Sequence, residues 1–134
     1  MKKLLLVILS LGFLFATSIK AETVLYCQSE LATGLLKENG TWKNSGFELI
    51  RFTIKFDDYF SRVEGMSFEP MDCKAPYAND VIFCVQSKYN HSTLRYNKVT
   101  KRFVHYFNPS SGYVGLSTDN SDNDVMYAGT CQKF

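Results

Sequence analysis

Beyond residue 21 this chain has no long hydrophobic run, and the one it starts with, residues 4–16, is interrupted by Ser10 and Gly12. Even that run is shorter than the roughly 20 residues that span a hydrocarbon core. Histidine occurs twice, tryptophan once and proline three times. His91 and His105 are not at ligand spacing from each other or from a cysteine, and no C-x-x-C pair occurs, which argues against zinc. There is no G-x-S-x-G elbow to expose a serine nucleophile, and no glycine-rich phosphate loop. Lys98, Lys101 and Arg102 are the only tight basic group, and they surround an expected turn. A nucleic-acid surface needs a broader cationic stripe, so none is expected. No segment carries a sustained helical period, and nothing calls for a cofactor.

The N-terminus has the three zones of an export signal. Lys2 and Lys3 supply positive charge, residues 4–16 the apolar segment, and residues 17–21 a polar stretch ending on Ala21. Cleavage after Ala21 is expected, leaving 113 of the 134 residues and no membrane anchor. Lys2, Lys3 and Lys20 leave with the signal, so the 15 basic residues fall to 12 against 13 acidic. The basicity of the whole chain therefore belongs to its leader. A periplasmic or secreted location follows.

In an oxidising compartment the four cysteines, Cys27, Cys73, Cys84 and Cys131, read as two disulfides. Three connectivities are possible. Cys73–Cys84 is expected because the pair flanks a loop containing Pro76, and Cys27–Cys131 because it joins the terminal strands of a closing sheet. On the loop-entropy argument they contribute about 3 and about 5 kcal/mol.

The strands announce themselves by alternation. Ile50, Phe52, Ile54 and Phe56 alternate with Arg51, Thr53, Lys55 and Asp57, the period of a half-buried strand. Asn39-Gly40 between short apolar flanks predicts a type I′ hairpin. Residues 23–28, 62–68, 81–86, 93–96, 102–107, 113–116 and 125–133 read as further strands, with residues 29–33 and 69–80 as connections. About eight short strands with regular turns predict one all-β domain over residues 22–134, an antiparallel barrel or sandwich stapled by the disulfides.

Cys27 and Gly34, residues 40–43, Phe47, Phe83-Cys84, residues 94–97, residues 101–103 and residues 129–134 together resemble a group of small secreted proteins of Gram-negative, notably alphaproteobacterial, genomes. The shared positions are turn glycines, cysteines and aromatics, so the resemblance implies export and fold and carries no activity. Tyr26-Cys27 and residues 110–113 are also similar to parts of the periplasmic inhibitors of animal-type lysozyme, themselves small disulfide-bonded β-barrels. Here Tyr113 follows Gly112 directly, where that group places a basic residue between.

Aromatics are the unusual quantity: 11 Phe, 8 Tyr and 1 Trp. Trp42, Tyr77, Tyr96 and Tyr113 are the candidate binding residues, since an aromatic ring with a polar tip suits a binding surface. Asp57, Asp58 and Glu64 are the candidates for a carboxylate-dependent hydrolase, if they converge in a cleft. His105 is expected to be packed within a strand. The reading is a non-catalytic exported binding or accessory module for a small ligand or a protein partner.

Overall fold

Asn39 and Gly40 reverse the chain with φ of 51° and 77°, the left-handed values that a two-residue hairpin turn requires. They join β1 (Thr23–Glu38) to β2 (Thr41–Gly46) in a computed structural model that describes residues 22–66, 69–75, 80–86, 92–108 and 123–134. Seven more strands follow: β3 (Arg51–Phe56), β4 (Arg62–Glu64), β5 (Met71–Lys74), β6 (Val81–Gln86), β7 (Ser92–Asn97), β8 (Arg102–Phe107) and β9 (Asn123–Lys133). All pairings are antiparallel, and β1 also pairs with β9. The result is a closed eight-stranded barrel, with β2 as an extra strand on β1. No helix occurs among the described residues.

Two expectations about connections are corrected. Residues 29–33 are not a connection but the middle of a 16-residue β1. Its pairing with β9 slips between Ser29 and Leu31, so Glu30 and Leu31 face the single residue Ala128. This is a β-bulge, which bends the strand and changes the phase of its alternation. The sequence pattern breaks there for that reason: Leu25, Cys27 and Ser29 are buried, whereas Leu31 is 68% exposed. Residues 71–74 form β5 rather than loop, because alternating burial of Met71 and Cys73 supplies the barrel wall beside β6. The expected strand at residues 113–116 lies outside the described residues.

β2 and β3 pair in succession along the same side of β1. Thr33 pairs with Gly46 and Gln28 with Arg51 in a single unshifted register. Ser29 holds the gap: it donates its backbone N–H to the Ile50 carbonyl at 2.9 Å, and its Oγ accepts the Ile50 N–H at 2.7 Å.

Both disulfides, Cys27–Cys131 and Cys73–Cys84, join residues directly opposite one another, across β1/β9 and β5/β6. All four sulfurs point inward with Leu25, Ile54, Phe56, Val63, Met71, Ile82, Leu94, Tyr96 and Phe103. Eight strands leave a lumen that side chains just fill, and these do so. Arg51, Glu64, Asp72, Arg95 and Arg102 alternate outward and are exposed.

Candidate functional site

Among the described residues, the outer faces of β1 and β9 form a shallow groove. Tyr26, Gln28 and Glu30 from β1 and Thr130 and Gln132 from β9 line a groove of about 200 Å³. Register sets them side by side, since Tyr26 pairs with Gln132 and Gln28 with Thr130. The bulge then turns Glu30 back over β9, where Glu30 Oε1 accepts a hydrogen bond from Thr130 Oγ1 at 2.9 Å. Gly129 makes this possible, because a Cβ built there would collide with the Gln28 carbonyl oxygen. At one end Tyr26 meets Phe134 edge to face, with centroids 6.4 Å apart. Among the described residues, the Tyr26 hydroxyl and the Gln28 and Gln132 amides hydrogen-bond no other side chain or backbone group, and Glu30 makes no ion pair.

The candidate binding aromatics divide differently from expectation. Tyr96 is core, 2% exposed and stacked on Phe56 at 5.5 Å and 27°. Burial raises its phenol pKa, and no surface ligand reaches it. Trp42 stands outside the closed barrel on the hairpin extension, half-buried, with Lys37 Nζ 5.8 Å from its ring centroid. Tyr77 and Tyr113 lie outside the described residues, as do residues 110–112. The groove residues not singled out as binding candidates from sequence are Tyr26, Gln28, Glu30, Thr130 and Gln132. Their only signal was the outward half of the alternation along β1 and β9, which any solvated strand shows.

Of the three candidate carboxylates, Asp57 and Glu64 have partners. Asp57 Oδ1 accepts the backbone N–H groups of Ser61 at 2.6 Å and Arg62 at 3.1 Å, and Asp57 Oδ2 accepts the Ser61 hydroxyl. Burial opposes its ionisation, but these hydrogen bonds outweigh it and its pKa is lowered. Asp57 and Glu64 do share a depression, of only about 60 Å³, with Glu22, Lys55 and Arg62. Lys55 Nζ lies 2.8 Å from Glu22, and Arg62 Nε 3.7 Å from Glu64. A general acid needs a raised carboxyl pKa, and the hydrogen bonds on Asp57 lower its own instead. Asp58 is not among the lining residues; its Oδ1 is buried apart from that depression, with no hydrogen-bond partner among the described residues.

His105 is packed, as its strand position implied. Its Nε2 lies 2.7 Å from Ser92 Oγ, and its ring stacks on Tyr127 at 6.1 Å and 18°. It is 4% exposed, and desolvation lowers its pKa to about 4. Ser92 is fully buried and Nδ1 has no hydrogen-bond partner among the described residues. The pair therefore lacks both the access and the orienting third group that nucleophilic catalysis uses. It is a neutral imidazole holding a buried hydroxyl. No three His, Cys, Asp or Glu side chains gather as metal ligands among the described residues. Neither the family models nor the curated proteins nor the solved structures with which the chain was compared match it.

Proposed function

We propose that this chain is an exported, non-catalytic binding or accessory module, acting in the periplasm or outside the cell, and that the β1–β9 outer face is its binding surface. One contrast carries the reading. Among the described residues, His105 and Ser92 are buried against each other and Asp57 is held by the Ser61 and Arg62 turn, whereas the groove displays a phenol and two carboxamides with no partner in the described fold. Binding sites combine a concave surface with a few convergent polar groups, which this face has. Two buried disulfides fit an oxidising compartment, and the leader-like residues 1–21 support export.

The test is native mass spectrometry of protein recovered from the envelope of cells expressing the full chain, joined to turnover assays on peptidoglycan, ester and peptide substrates. The expected species lacks residues 1–21, has no alkylatable thiol and gives no turnover. Product formation that scales with enzyme overturns the non-catalytic reading. A full-length mass with four reactive thiols overturns export.

A further inference from the structure

We infer that the β1–β9 groove recognises a neutral saccharide, an inference that rests on this face being the binding surface. The chemistry of the lining selects the class. A sugar presents neighbouring hydroxyls, each both donor and acceptor, on one side of a ring whose other side is C–H. Gln28 and Gln132 each offer a carbonyl acceptor and an NH₂ donor, and lie on the same outer face of adjacent strands, two register positions apart. Their side chains hold no other protein group. Glu30 is ready to accept from a hydroxyl, with one oxygen already fixed by Thr130 at 2.9 Å. The bulge at Glu30 follows the stretch where the β1 backbone packs closely on Gly129, and the Thr130 hydrogen bond holds that carboxylate beside the groove.

The aromatic component lies at the end of the same row. Tyr26 is 37% exposed and Phe134 79% exposed, and their edge-to-face packing leaves ring surface open beside Gln132. Such a ring covers the C–H side of a sugar while the phenol tip stays in water.

Charge argues for neutrality. The five lining residues include one carboxylate and no Lys or Arg, so a phosphate or uronate entering the groove meets Glu30 without a counter-ion in the lining. Arg51 and Arg102 are the register neighbours of Gln28 and Thr130, one strand to either side. They can donate to a saccharide that extends past the groove. The size agrees: about 200 Å³ lies below the roughly 300–1,000 Å³ of sites that engulf a drug-sized ligand. It suits a single sugar unit of a chain lying along the sheet.

Amide NMR shift mapping with chitotetraose and maltotetraose, each titrated to millimolar concentration into the purified protein, tests the inference. At least one tetrasaccharide should perturb the Gln28 and Gln132 side-chain NH₂ signals together with Glu30 and Thr130. Tyr26→Ala and Gln132→Ala, both at exposed positions, should each weaken binding about tenfold, the loss of one stacking or hydrogen-bonding contact. Their melting temperatures should stay unchanged. Failure of both sugars to shift these signals overturns the saccharide assignment, as does tighter binding of polygalacturonate or of a proline-rich peptide to the same residues. Those last outcomes would leave the binding reading standing, whereas turnover of either sugar would remove it. Shifts confined to another face would reject the groove itself.

Discussion

The two halves of the barrel lumen are lined by the same strands but by different chemistry. Along β6, β7 and β8 the buried residues at one end are Ile82, Leu94, Tyr96 and Phe103, and toward the other end they become Gln86, Ser92 and His105. Ser29, after Cys27 on β1, belongs to the same polar level. Phe56 and Phe60, 5.0 Å apart, reinforce the apolar end, and both disulfides lie in the apolar half. The difference teaches where stability and where pH sensitivity reside. Apolar burial and cross-links hold one half, and hydrogen bonds whose strength depends on protonation hold the other.

Removing the cross-links should have the largest effect. Replacing Cys27 and Cys131 by Ala should lower unfolding free energy by about 5 kcal/mol, against about 3 kcal/mol for Cys73 and Cys84, because the first bridge closes a far longer loop. Urea melts of the two double variants check the ratio. Equal losses would mean that chain entropy is not the mechanism.

Phe56→Ala should come next. The ring is fully buried and packs on both Phe60 and Tyr96, so truncation should cost about 4 kcal/mol in a transfer and cavity term. Denaturant melts of this variant at pH 7 and pH 5 should show the same loss, since His105 belongs to the other half.

The polar half behaves in the opposite way. The folded-state pKa of His105 is depressed to about 4 from 6.5, so the unfolded chain takes up a proton first as pH falls. Its contribution is fully present above pH 6.5, declines between 6.5 and 4, and levels off below. The total is about 3 kcal/mol by proton linkage. Stability measured across that window should show this slope in the parent and lose it in His105→Gln. A variant that keeps the slope would assign it elsewhere.

The smallest expected effect is at Ser29. Ser29→Ala leaves the Ile50 N–H without its Oγ acceptor, which should cost about 1–2 kcal/mol. Hydrogen exchange should quicken at Ile50 and leave the apolar half unaffected.

The apolar half was the more legible in sequence. Alternation in residues 50–57 placed Ile54 and Phe56 inside, and Asn39-Gly40 placed the hairpin. The polar half and the groove were not legible, because a buried Ser or His and an exposed Gln look alike in a local pattern. Tyr96 shows the converse error: next to a turn in sequence, it is inward by register and sealed by Phe56.

Local residue chemistry by itself determined the all-β character, the tight hairpin and the number of disulfides, though not which cysteine meets which, since side-chain period, positive φ and an even thiol count act over short distances or by simple arithmetic. Closure of β1 onto β9, the bulge at Glu30, and the meeting of Tyr26, Gln28, Thr130 and Gln132 were decided only in three dimensions. Those residues are about a hundred positions apart, and only the register of two terminal strands brings their outward faces together.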